Sequence, residues 1–130
     1  MRHLVLSAAI TAGLALSACE AYSAGHAQPA MQAQTSAGLI VVTGDGMSLY
    51  TFDEDSAGQS NCNGGCAQAW PPLAAPANAT AEGNFTPITR ADGTKQWAYK
   101  GQPLYGWQGD ARPGDVTGDG VGGTWHLARP

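Results

Sequence analysis

The chain has 130 residues and a formal net charge of −4, with 43% hydrophobic and only 12% charged residues. Its six basic residues are scattered without a stripe or cluster, which excludes an electrostatic nucleic-acid platform. The acidic balance likewise excludes charge-driven adsorption on anionic lipid head groups, and eighteen Gly with eight Pro break the chain too often for a long amphipathic helix.

Residues 1–18 read as an export signal: Arg2 and His3 form a short basic start, and Leu4 through Leu16 an uncharged apolar run too short for a permanent membrane span. The run ends in Leu16-Ser17-Ala18-Cys19, which resembles the lipobox of bacterial lipoproteins, with two small residues before a cysteine whose thiol carries diacylglycerol. Cys19 is the expected lipidation site, and the membrane is a partner through that lipid. The competing reading is an ordinary secretory signal cut at a later small-residue site. Glu20 follows the cysteine. Lipoproteins that resemble this one in lacking Asp there go to the outer membrane, on its periplasmic face, where a cell has two membranes.

Residues 19–37 carry the expected lipidated cysteine and a flexible tether, rich in Ala, Gln, Ser and Gly and without a hydrophobic period. As a coil the tether would span roughly 23 Å. His26 and Met31 fall within it as solvated positions.

Residues 38–130 form one domain by length, near the lower limit for a core without a staple. Leu39 through Thr43 is a β-branched run bounded by Gly38 and Gly44, and reads as a buried strand. Asp45-Gly46 is a hairpin signal, and Leu49 through Phe52 alternates faces as the return strand. Trp70-Pro71-Pro72-Leu73 is stiff and suits an edge segment whose Trp pins a loop onto the sheet. Phe85 through Arg90 and the Asp92-Gly93 turn lead into a second hairpin, Gln96 to Tyr99 and Leu104 to Trp107 about Lys100-Gly101.

The two hairpins are copies of one unit. Leu49 through Asp55 returns as Leu104 through Asp110, and the same offset of 55 lays Gly46 on Gly101, Gly65 on Gly120 and Trp70 on Trp125. The expected fold is therefore all-β: a small antiparallel domain of two pseudo-symmetric hairpin repeats, at about 39–73 and 94–128, docked on each other.

With Cys19 lipidated, Cys62 and Cys66 remain, an even pair expected to form a disulfide in an oxidising envelope. Asn63-Gly64-Gly65 between them suits a tight turn. A thioredoxin-type role is disfavoured because those motifs separate their cysteines by two residues. The corresponding loop of the second copy has Thr117 and Val121 instead, so the crosslink reads as local reinforcement.

Asp55 and Asp110 end the repeated motif and suit Asx-type caps of their own loops. The alternative is a metal ion, calcium above all, held by Asp53, Asp55, Asp110, Asp115 and Asp119 with glycine carbonyls, though the spacing departs from the twelve-residue helix-loop-helix pattern. His126, the one histidine of the folded part, could join Met47 and a carboxylate on copper or haem iron, but Cys-x-x-Cys-His is absent. A carboxylate hydrolase would use one Asp per copy, yet neither lies in an Asp-Thr-Gly or Asp-Ser-Gly setting, and no G-x-S-x-G occurs. Neither an enzyme nor a resident cofactor is expected. Trp97, Trp107 and Trp125 are read as core, with a groove for a sugar ring or another flat ligand as the alternative that exposure decides.

Tyr50, Phe52 and Asp55, then Tyr105, Trp107 and Asp110, set this chain beside a known family. It resembles the predicted bacterial lipoproteins with a Tyr-x-(Phe/Trp/Tyr)-x-x-Asp motif, also described as secreted repeats of unknown function. Cys62 through Leu73 and Gly122 through Trp125 carry the likeness further, over essentially Leu39 to Ala128. The resemblance implies an exported, lipid-anchored domain of paired repeats in the cell envelope, with no established reaction. Its partner is expected to be an envelope protein or a small ligand.

Overall fold

The computed structural model describes residues 28–130. The expected signal peptide, Cys19 and the first part of the expected tether lie outside them. Two antiparallel hairpins open the two repeats. In the first, β1 (Met31–Thr35) pairs with β2 (Gly38–Val42), Ala33 opposite Ile40. β1 lies inside the stretch assigned above to the tether, so that assignment stops short of Met31. The strand needs no apolar period because its stabilisation comes from the backbone ladder with β2, and at a sheet edge most of its side chains stay in water.

β2 is the buried strand expected at Leu39 to Thr43, with Ile40, Val41 and Val42 all inaccessible while Leu39 faces solvent. Ile40 and Val42 enter one core cluster and Val41 the other, so the strand is covered on both faces. The chain turns through Asp45-Gly46, where Thr43 N–H donates to the Met47 carbonyl at 2.8 Å, and Leu49 N–H then donates to the Val41 carbonyl at 3.1 Å. β3 (Tyr50–Phe52) follows.

The second copy repeats this path. After α1 (Gly65–Ala69) and the short β4 (Ala74–Ala75), β5 (Phe85–Thr89) pairs with β6 (Lys95–Tyr99), and β6 with β7 (Gln102–Pro103). Leu104 N–H donates to the Trp97 carbonyl at 3.0 Å, the counterpart of Leu49 on Val41. A 3₁₀ turn (Val121–Gly123) stands where α1 stands in the first copy, and β8 (Trp125–Leu127) closes the chain. The expected turn at Asn63-Gly64-Gly65 thus continues as α1, entered at Gly64 with φ of 59°.

The repeats do more than dock; each sends its last segment into the other's hairpin. β8 pairs with β3, Tyr50 opposite Leu127, and Ala128 N–H reaches the Leu49 carbonyl at 2.8 Å. Correspondingly, Pro72 bridges Tyr105, and Leu73 N–H reaches the Leu104 carbonyl at 2.9 Å. At the crossing point Tyr50 and Tyr105 exchange both backbone hydrogen bonds, at 2.8 and 3.0 Å, so a pseudo-two-fold axis runs between them. Trp70 is accordingly central, 4% exposed, rather than a pin at the sheet edge.

Four rings stack across this axis. Phe52 lies on Trp125 (centroids 4.2 Å, planes 10° apart), Trp125 on Trp70 (3.8 Å, 2°), and Trp70 on Trp107 (4.0 Å, 31°). Tyr50 and Tyr105 meet the two inner rings edge-on, at 5.5 and 5.1 Å. Offset and edge-to-face contacts are the favourable arrangements for aromatic quadrupoles. The column is thus shared equally between the repeats. Replacing Trp70 or Trp125 by Ala should each cost about 3–5 kcal/mol by removing a buried aromatic. Because the rings touch, the double variant should lose less than the sum of the two, measured by equilibrium urea unfolding; strict additivity would mean the two rings do not share one packing unit.

Candidate functional site

The repeated motif builds a reciprocal latch. The Tyr50 hydroxyl donates to Asp110 Oδ2 at 2.7 Å, and the Tyr105 hydroxyl donates to Asp55 Oδ2 at 2.7 Å. Each tyrosine therefore reaches the aspartate of the other repeat. The second carboxylate oxygen ties down its own loop: Asp55 Oδ1 accepts the Asn61 amide at 2.7 Å, and Asp110 Oδ1 accepts the Thr117 amide at 2.9 Å and its hydroxyl at 2.7 Å. Both tyrosines have no accessible surface. Burial raises their hydroxyl pKa values well above the ordinary range, and the partner carboxylates push the same way, so both stay protonated donors.

The environments of the two latches differ. Gly118 N–H donates to the Tyr50 hydroxyl at 3.1 Å, and a side chain at Gly118 would collide with Tyr50 (2.9 Å) and Trp107 (3.0 Å), so glycine is needed for that approach. Around Tyr105 the donors form a chain. Arg90 Nη1 donates to Ser60 Oγ at 3.0 Å, and Ser60 Oγ lies 2.7 Å from the Tyr105 hydroxyl, whose own proton goes to Asp55. Hydrogen bonds aligned from a buried cation toward a carboxylate polarise one another. Arg90 is 7% exposed and also donates to Gln96 Oε1 (2.7 Å), the Cys62 carbonyl (2.7 Å) and Asn63 Oδ1 (3.3 Å), which offsets the desolvation of its charge. Gln96, wholly buried, passes its amide to the Leu104 carbonyl at 2.8 Å. The disulfide Cys62–Cys66 holds the carbonyl that Arg90 uses.

Arg90, Ser60 and Gln96 escaped the reading of the sequence. Arg90 stands at the end of the β5 pattern, where Ile88 is buried and Thr89 exposed, so its parity pointed inward. The other partners are distant in the chain, and no local pattern marks them.

Two surface clefts of about 250 Å³ each flank the column and are related by the pseudo-two-fold. In one, Trp107 and Asp110 face Met47 and Ser48; in the other, Phe52 and Asp55 face Gln102 and Pro103. The first is completed by Leu49, Pro71, Pro72 and Leu73, the second by Asp53 and Lys100. Of the tryptophans singled out above, Trp97 and Trp125 are 7% and 5% exposed and belong to the core, whereas Trp107 is partly exposed and lines the first cleft. A third cleft, of about 440 Å³, lies beside β6 between Ala75 and Lys95.

The remaining candidates do not converge. Asp53 Oδ2 lies 2.8 Å from His126 Nε2 on an exposed face, and Asp115 accepts the amides of Ala111 and Arg112 at 2.8 and 3.1 Å. Asp119 accepts the Leu127 amide at 3.1 Å. Among the described residues no group of three or more His, Cys, Asp or Glu side chains gathers in a metal-binding arrangement. Asp55 and Asp110 are each occupied by a tyrosine hydroxyl and a loop amide.

Two β repeats that exchange their closing strands and lock each other through Tyr–Asp pairs define a duplicated β-repeat domain. The chain belongs to the family described as a secreted repeat of unknown function, whose model matches it twice, over residues 31–74 and 86–129. Both matches start at or one residue into the first strand of a repeat. No curated protein and no solved structure matches it.

Two outcomes test the latch. Tyr50→Phe and Tyr105→Phe should each lower stability by about 1–3 kcal/mol, because each strands a partly buried carboxylate without its donor; urea unfolding measures this, and a neutral substitution would remove the latch role. The second outcome concerns pH. Burial holds the Asp55 carboxyl above its ordinary value, opposed by the Asn61 amide, the Tyr105 hydroxyl and the Arg90 charge. The folded chain thus keeps this proton to higher pH than the unfolded chain. Asp55 by itself lowers stability as pH rises from the ordinary value of 3.8 through its folded value. Asp55→Asn abolishes that dependence, so variant minus wild-type stability should increase between about pH 3 and neutrality. A difference that stays flat across that range would contradict the assignment.

Proposed function

We propose that this protein is an exported cell-envelope lipoprotein, anchored by acyl chains on Cys19, whose β domain is a non-catalytic binding or structural module. The observation that carries the reading is the commitment of both motif carboxylates to the opposite repeat's tyrosines, which gives the motif an architectural task. Catalytic carboxylates work from pockets that leave an oxygen for substrate. Here Asp110 already accepts three hydrogen bonds and Asp55 two. The family's description as secreted and the disulfide Cys62–Cys66 support an oxidising envelope location. No helix among the described residues is long and apolar enough to cross a membrane, and lipid on Cys19 would supply the attachment instead.

The test is the cysteine. Expressed in a host that lipidates envelope proteins, the wild-type chain should incorporate labelled fatty acid and partition into the detergent phase of a cloud-point extraction. Cys19→Ser should take up no label and move to the aqueous phase. Equal aqueous partitioning of both proteins would rule out the anchor and leave an ordinary secreted protein.

A further inference from the structure

We propose that Asn63 is a self-modification site, an asparagine that the fold converts to aspartate and that thereby gives the buried Arg90 a direct counter-charge. The inference goes beyond the binding-module reading and holds whether or not the chain carries lipid.

Deamidation uses the backbone amide that follows an asparagine as its nucleophile, so hydrogen bonding decides which amide is available. The chain has asparagines at Asn61, Asn63, Asn78 and Asn84. After Asn61, the Cys62 N–H donates to Ser60 Oγ at 3.3 Å. After Asn78 the Ala79 N–H donates to the Pro76 carbonyl at 3.0 Å, and after Asn84 the Phe85 N–H donates to the Glu82 carbonyl at 2.9 Å. The Gly64 N–H, after Asn63, has no acceptor among the described residues. Asn63 and Gly64 are both exposed, and a Cβ built on Gly64 would meet no atom within 4 Å, so the nitrogen is unshielded and water reaches the turn.

The step balances with water alone. The Gly64 nitrogen gives its proton to solvent and bonds to Asn63 Cγ; the Cγ–Nδ2 bond breaks, and Nδ2 leaves as ammonia from a five-membered succinimide. Water then opens the ring at one of its two carbonyls. Attack at Cγ yields aspartate, and attack at the backbone carbonyl carbon yields isoaspartate, the main product in an unstructured chain. Here the two carbonyls differ. Oδ1 accepts from the cationic Arg90 Nη2 at 3.3 Å, whereas the backbone oxygen accepts from the neutral Cys66 N–H at 3.1 Å. Charge-assisted bonds are roughly twice as strong as neutral ones, so Cγ is the more polarised centre. Isoaspartate would also add a carbon to the backbone between Cys62 and Cys66, a segment that the crosslink closes.

The product answers a need of the interior. Arg90 is 7% exposed, and its acceptors Ser60 Oγ, Gln96 Oε1, the Cys62 carbonyl and Asn63 Oδ1 are all neutral. A buried cation is costly without an opposite charge beside it. A carboxylate in place of the Asn63 amide supplies that charge through an oxygen position that already accepts from Arg90.

The test uses the full chain carrying Cys19→Ser, incubated at neutral pH and followed by intact mass and peptide mapping. The folded chain should gain one mass unit at Asn63, with aspartate in excess over isoaspartate. The same chain, reduced and unfolded in guanidinium chloride, should give isoaspartate in excess. Asn63→Gln, which keeps an amide but cannot close a five-membered ring, should gain no mass at this position. Asn63→Asp should unfold at a higher urea concentration than the unconverted chain. Conversion of Asn61, Asn78 or Asn84 ahead of Asn63, an unchanged Asn63 in the folded chain once the unfolded chain has converted, the same product ratio in both, or a urea midpoint for Asn63→Asp that is no higher would each overturn the proposal.

Discussion

The reciprocal backbone pair between Tyr50 and Tyr105 is the contact on which the rest of this structure depends. It places the two motif segments side by side, β3 and the stretch around Tyr105, and from there each repeat can pass its closing segment into the other. Neither half is a finished unit. The first lacks the strand that Trp125 to Leu127 supplies, and the second lacks the edge that Pro72 to Ala75 supplies. Burial follows the same logic, because the aromatic column alternates by origin: Phe52 and Trp70 from one repeat interleave with Trp125 and Trp107 from the other. A chain this short has little interior, so exchanging strands raises the apolar area each repeat can hide.

Symmetry in the backbone leaves room for asymmetry in the side chains. Both latches use the same Tyr–Asp pair, but one is supported by a backbone amide and the other by a buried guanidinium held through Ser60, Gln96 and the disulfide loop. The crosslink therefore lies in the first repeat, against the charge that Arg90 brings in from the second. Holding Cys62 and Asn63 in place keeps the acceptors of Arg90 assembled, and their loss would leave a cation without partners in the interior. The same divergence separates the two clefts, one apolar and one charged, on either end of a common column.

Much of this was legible from local pattern. The β-branched run at Leu39 to Val42, the Asp45-Gly46 turn and the alternation at Leu49 to Phe52 are short-range signals, and the strands lie where those signals fall. The strand at Met31 to Thr35 was not legible, because an edge strand is held by a neighbour's backbone and its side chains can be almost anything soluble. The place of Trp70 is not legible from the sequence for a related reason. The prolines after it mark an edge in isolation, whereas the edge they form is the second repeat's, and Trp70 is carried into the centre with it.

By itself the amino-acid sequence determined the duplication, the all-β class, the crosslinked pair and the two motif triads, since each is a matter of residue type and spacing. Only the tertiary structure decided which tyrosine meets which aspartate, that the closing strands are exchanged, and that Arg90 feeds one latch. Those contacts join residues far apart in the chain, 60 positions for Tyr50 and Asp110 and 50 for Tyr105 and Asp55. Whether such groups meet depends on how whole strands pack, and no local propensity encodes that.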